Sequence, residues 1–119
     1  MSRRSIVLTA GVLGILVALA IAAPLGARPA QVKTRITVTE TDSRIVLSKK
    51  IVPHGELVFT IFNRGKRTHN FKISYRQTLP IGPGKTGRLV IVLAKGLWHY
   101  RSTLDSDASR GMRGILRLT

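Results

Sequence analysis

Cysteine is absent from all 119 residues. A fold built on this chain therefore holds together by its core alone, without disulfide staples. Thiol catalysis and thiolate-ligated metals are excluded with it. Acidic side chains are also scarce: five Asp and Glu stand against twenty Lys and Arg, for a formal net charge of +15. The basic residues are scattered, with no block of five, which describes a solvated basic surface more than a dedicated polyanion site. Aromatic residues number one Trp, two Tyr and three Phe. That is too few for the stacking platform of a single-strand binder, and nucleic acid is set aside as a partner. Internal repeats and low-complexity tracts are missing too.

What is present begins with a short positive start, Met1 to Arg4, followed by an uncharged run from Ile6 to Ala23 and a helix-stopping Pro24. Residues 1–28 are read as a signal peptide or an N-terminal membrane anchor, a hydrophobic export helix in either case. Ala20-Ile21-Ala22 offers the small residues a peptidase needs, and the uncharged run lies near the lower limit of the ~17–25 residues that span a bilayer. Ser2-Arg3-Arg4 is also similar to a twin-arginine signal, with Ile6 where that motif favours Phe. The expected location is periplasmic, extracellular or anchored to the outer face of the cytoplasmic membrane, with membrane contact through residues 6–23. In those places a basic protein meets acidic proteins and anionic envelope surfaces, and these are the expected partners. The sequence does not fix an oligomeric state.

Residues 29–119 read as one all-β domain. Val32 to Glu40 alternates Val32, Thr34, Ile36 and Val38 against Lys33, Arg35, Thr37 and Thr39, the period of a half-buried strand. Arg44 to Leu47 is a short strand. Leu57 to Phe62 is apolar on both faces and predicts a central strand. His69 to Tyr75 alternates again, with His69, Phe71, Ile73 and Tyr75 on one face. Arg88 to Leu93, then Leu97 to Ser102 with Trp98, Tyr100 and Ser102 on one face, and last Met112 to Leu118 complete the set. Helical periodicity is confined to the first segment. Seven short strands divided by turn clusters predict a Greek-key antiparallel β-sandwich.

The order Phe62-Asn63, His69-Asn70-Phe71, Pro83-Gly84-Lys85-Thr86, Tyr100-Arg101-Ser102 and Gly111-Met112-Arg113-Gly114 resembles the cupredoxins, small exported blue-copper proteins. The resemblance covers essentially everything after Val32. It implies copper held by an upstream His, a Cys after a late Tyr, a His five residues on and a Met five further. Laid on this chain, those positions fall on His69, Ser102, Asp107 and Met112, with both spacings kept. Ser102 and Asp107 remove two of the three strong ligands, since a neutral hydroxyl is a poor copper ligand and a carboxylate favours harder cations.

The reading that follows is an exported, non-enzymatic binding or structural module of cupredoxin fold, without a cofactor, whose type 1 copper site has been lost. The alternative is a copper-binding or electron-transfer protein with atypical ligation by His69, Asp107 and Met112. Under the first reading His69 is a satisfied polar residue at the sandwich rim, bonded to Ser102, Asp107 or a backbone carbonyl, and Asp107 raises its pKa. Met112 is then a core plug, and Trp98 and Tyr100 are packing residues. His54 and His99 are expected on the surface. Two lookalikes are rejected. Gly84-Lys85-Thr86 has the ending of a phosphate-binding loop, but Leu79 stands where its first Gly belongs. Ser102, His99 and Asp107 have the residue types of a hydrolytic triad, yet strand alternation points His99 away from Ser102.

Overall fold

The computed structural model describes residues 33–119. The export or anchor segment, residues 1–28, and the predicted strand start at Val32 lie outside the described residues. Nine strands run in the order β1 (Lys33–Thr41), β2 (Arg44–Leu47), β3 (Ile51–Val52), β4 (Gly55–Asn63), β5 (Lys72–Ile73), β6 (Arg76–Gln77), β7 (Thr86–Leu93), β8 (Gly96–Arg101) and β9 (Arg113–Leu118). They form a four-stranded sheet, β2-β1-β4-β7, and a five-stranded sheet, β3-β9-β8-β5-β6. The all-β sandwich expected from the turn spacing is what the chain forms. Within it β1 and β4 pair in parallel, as do β3 and β9, and the other pairings are antiparallel. Parallel neighbours arise because β3 crosses to the second sheet before β4 returns beside β1.

β4 lies in the middle of its sheet, flanked on both edges, and Leu57, Val58, Phe59 and Ile61 are all buried. Its apolar character on both faces follows from that place. Ile36 and Val38 of β1 and Leu89, Ile91 and Leu93 of β7 face the same core. Opposite them, Tyr100, Leu116 and Leu118 point inward from β8 and β9. Phe71 bridges the layers, with its ring centroid 5.0 Å from Phe59 and 5.7 Å from Tyr100.

One expected alternation stops early. His69, Phe71 and Ile73 are fully buried, but Tyr75 is exposed. Ser74 takes a left-handed φ of 54°, and the Ser74-Tyr75 turn joins β5 to β6 as a two-residue hairpin, lifting Tyr75 off the buried face.

Gly114 sits opposite Tyr100 in the β8–β9 ladder, and a Cβ there would overlap the phenol ring. The glycine makes room for the aromatic stack to lie flat on β9. Gly114→Ala is expected to force the ring from its place at a cost of about 1–3 kcal/mol, the range for overpacked cores. A urea midpoint unchanged from wild type would contradict this.

Candidate functional site

At one end of the sandwich four loops bring polar side chains into the core. His69 enters just before β5, fixed by a backbone bridge in which its N–H donates to Ile81 O at 3.1 Å and its carbonyl accepts from Ile81 N at 2.7 Å. Ser102 directly follows β8, and Met112 directly precedes β9. Their backbones join where Ser102 N–H donates to Met112 O at 3.1 Å. Asp107 stands in the turns between them, its carbonyl accepting from Met112 N at 3.0 Å. The four positions singled out from sequence thus share one end of the fold. His69, Ser102, Asp107 and Met112 are all buried, and His69 touches Met112.

The imidazole of His69 is held at both nitrogens. Nδ1 lies 2.7 Å from Asp107 Oδ2, and Nε2 lies 2.8 Å from Asp42 Oδ1. A carboxylate only accepts, so two such contacts require both ring nitrogens to donate, and the ring is an imidazolium. Burial alone would lower the pKa of His69, but the bonds to Asp107 and Asp42 outweigh it and hold the pKa above the ordinary 6.5. For Asp107 burial acts upward, yet the bonds from His69 and Ser102 and the charge of His69 leave its pKa below 3.8.

Further donors satisfy the carboxylates. Ser102 Oγ donates to Asp107 Oδ2 at 2.7 Å, and Arg110 reaches Asp107 Oδ1 at 3.2 Å. Asn70 clamps the start of the loop, accepting from Thr103 N at 2.7 Å and donating to Thr103 Oγ1 at 2.8 Å. Asp42, in the β1–β2 turn, also accepts from the backbone of Lys66 at 3.0 Å and Arg67 at 3.1 Å. The Lys66 amide first, then the bond from His69 and the Arg67 amide, pull its pKa down to about 2. Its approach depends on Gly65, where a Cβ would strike the Asp42 carboxylate. Asn63 holds that glycine loop, donating to Arg67 O and Ile81 O, each at 2.8 Å.

Two participants escaped the reading by residue spacing. Asp42 lies in a turn and meets His69 only through the fold. Glu40 shares its parity with Ile36 and Val38 on the inward face of β1, so the pattern itself carried the signal. Its side chain is fully buried, and neither carboxylate oxygen has a hydrogen-bond partner. Burial raises its pKa from 4.5 to about 7, against the pull of His69 and with the push of Asp107. The other two histidines lie apart. His54 is exposed and pairs its Nδ1 with the carbonyl of Thr119 at 2.8 Å, and His99 is exposed on the outer face of β8.

No family model matches this chain, and no curated protein matches it by sequence. Solved structures do match by shape. Auracyanin A, a "blue" copper protein from the green thermophilic photosynthetic bacterium Chloroflexus aurantiacus, superposes with a TM-score of 0.64 at 11% identity, over 74% of this chain and 100% of that one. Dithionite-reduced auracyanin from Roseiflexus castenholzii gives 0.58 at 17% identity, over 76% and 99%. The copper-containing nitrite reductase from Thermus scotoductus SA-01 gives 0.60 at 15% identity, over 73% of this chain and only 28% of the reductase. The fold is cupredoxin-like.

The side chains of His69, Ser102, Asp107 and Met112, which the sequence resemblance lays on copper-ligand positions, do not supply the donors of a blue-copper centre. Such a centre takes its character from a thiolate and two imidazole lone pairs, and here a hydroxyl and a carboxylate stand in two of those places. The remaining imidazole has both nitrogens engaged with carboxylates. Among the described residues, no group of three or more His, Asp or Glu side chains is arranged to hold a metal ion.

Glu40 and His69 both have pKa values raised by folding, so the stability each contributes is complete below its unfolded value and is lost as pH rises through its folded value. For Glu40 that window runs from 4.5 to about 7. Glu40→Gln is expected to flatten the fall of urea midpoint with pH across it and to stabilise the neutral protein by about 2–3 kcal/mol, following the size of the shift. A variant whose pH profile parallels wild type would show that Glu40 is not the group responsible.

Proposed function

We propose that this chain is an exported, non-enzymatic cupredoxin-fold module in which a histidinium bridging two carboxylates takes the structural place of copper, leaving a basic domain that binds an anionic partner. One observation carries the reading: Nδ1 of His69 faces Asp107 Oδ2 at 2.7 Å, and that same oxygen accepts from Ser102. A nitrogen that donates a proton has no lone pair to give a metal.

The substitution is consistent in charge as well as shape. An imidazolium set between Asp42 and Asp107 supplies the positive centre that draws separate loops together, as a metal ion would, with no redox chemistry attached. The β1–β2 turn, the 64–68 loop and the 103–111 loop all anchor on it. The same bonds argue against hydrolysis. Ser102 is buried and spends its proton on Asp107, while the triad's remaining residue type, His99, stands on the far face of β8. Export rests on the sequence of residues 1–28 and on the excess of basic residues that anionic envelope surfaces attract.

Contact between His69 and Met112 favours a second reading, copper ligation by His69, Asp107 and Met112. Copper would have to displace the proton shared between His69 and Asp107, which makes uptake weaken as pH falls.

A copper titration followed by dialysis and metal analysis separates the two. The expected result is no stoichiometric uptake at neutral pH and no change in thermal midpoint on adding Cu(II). Tight uptake of one equivalent, abolished by His69→Gln, supports the second reading and overturns the first. In the same series His69→Gln removes the buried cation on Asp107 Oδ2 and leaves only the partly exposed Arg110 on Oδ1, and a loss of about 3 kcal/mol, the low end for a broken buried pair, is expected.

A further inference from the structure

The two outer faces of the sandwich both carry basic and apolar side chains but differ in how the charge is arranged. On the four-stranded sheet Arg35, Arg44 and Arg88 point outward, Thr37, Thr39 and Thr41 line β1, and Lys33 pairs with Glu56 across the ladder at 3.8 Å. On the five-stranded sheet the outward positions carry no carboxylate. Arg113, Arg101 and Lys72 stand abreast on β9, β8 and β5, because Arg101 is paired in register with both of the others. Like charges placed opposite one another in a ladder destabilise it. None of the three has a carboxylate within ion-pair distance among the described residues, which include all five acidic residues of the chain. The row is a standing excess of positive charge that an external anion would relieve.

Beside that row the face turns apolar. Two residues along the ladder His99 lies opposite Ile115, and two residues further Leu97 and Ile51 flank Arg117. Ile115 is 49% exposed, Leu97 65% and Ile51 63%. Two shallow hollows, of about 570 and 330 Å³, lie on either side of the His99–Arg101 ridge. Guanidinium groups and aliphatic side chains mixed on one open face match a surface of phosphates laid over acyl chains, where the charges reach the headgroups and the aliphatics the hydrocarbon boundary.

We propose that the outer face of the five-stranded sheet docks on an anionic phospholipid bilayer, with Arg101, Arg113 and Lys72 on the lipid phosphates and Ile115 and Leu97 at the acyl boundary. Charge complementarity is the main support. The sequence adds a second: only nine residues, 24–32, separate the uncharged run ending at Ala23 from β1 at Lys33 along the chain. The inference names the partner of the module proposed above and rests on its export. The copper titration tests that reading, and lipid binding is measured independently of it.

The test is flotation of the full chain with vesicles of phosphatidylcholine alone or with added phosphatidylglycerol. The segment Ile6–Ala23 contributes to partition in both, so the gain on adding the anionic lipid is what reports on the face. Wild type is expected to gain at least about tenfold, given roughly 1 kcal/mol per basic residue near such a surface, and to lose the gain at high salt. R101E/R113E is expected to abolish the gain. R35E/R88E, the same charge change on the other sheet, is expected to keep most of it. L97S/I115S, with no change of charge, is expected to lower it. R101E alone relieves the cationic row and is expected to melt no lower than wild type, so its loss of binding is not loss of fold. Equal weakening by R101E/R113E and R35E/R88E would overturn the proposal in favour of net charge alone. Equal partition of wild type into both vesicles overturns it, as does binding to polyglutamate without binding to anionic vesicles, which would assign the face to an acidic protein.

Discussion

The doubly bonded imidazole of His69 is the contact on which this end of the molecule depends. It is fully buried, it carries a positive charge, and the two carboxylates that justify the charge come from loops far apart in sequence. Remove the proton and Asp107 loses its principal donor inside the protein. Remove a carboxylate and the cation is left in a medium that penalises it. Each partner is therefore tolerated only because the others are present. The supporting groups, Ser102 and Arg110 on Asp107 and the Lys66 and Arg67 amides on Asp42, satisfy the remaining acceptor sites. Glu40 is the exception, a buried carboxyl with no partner, kept neutral through much of the acid range by the cost of ionising it there.

That arrangement explains how a scaffold with the shape of blue-copper proteins can close its loop end without cysteine. In a metal site, a cation binds donors from several loops and the bond energy holds them together. Here the cation is part of the chain. A proton on a side chain cannot change oxidation state, and its affinity is set by carboxylates instead of by sulfur. The five-stranded sheet carries the complementary consequence on the outside. With three of the five acidic residues gathered at the His69 end, the outward rungs of β5, β8 and β9 are left with basic residues and no carboxylate to offset them. The inner network and the outer cationic face are two results of one uneven distribution of charge.

Much of the architecture was legible in the residue pattern because burial leaves a period. Alternation in β1, the doubly apolar β4 and the inward set Trp98, Tyr100 and Ser102 all follow from which side of a strand faces the core. The spacing from His69 to Ser102, Asp107 and Met112 was legible because those residues lie beside strand ends or in the turn that joins them, in an order the sequence keeps. Periodicity names a face and not a neighbour, so the parallel pairing of β1 with β4 was not visible. It also fails at turns: the left-handed Ser74 ends the strand one residue before Tyr75 would have pointed inward. Asp42 was hidden for a related reason, since a carboxylate in a hairpin turn looks solvated until Gly65 brings the other loop against it. Glu40 alone was readable and unread, its parity matching Ile36 and Val38.

The most direct measurement of the central claim is nitrogen-15 NMR of the His69 ring, followed from mildly acid to mildly basic pH with and without Cu(II). The account predicts that both ring nitrogens keep the chemical shifts of a doubly protonated imidazolium at and above pH 6.5, the ordinary histidine value, and that added copper leaves those signals in place. A neutral ring with one bare nitrogen at pH 7, or selective loss of the His69 signals on adding copper, would contradict it.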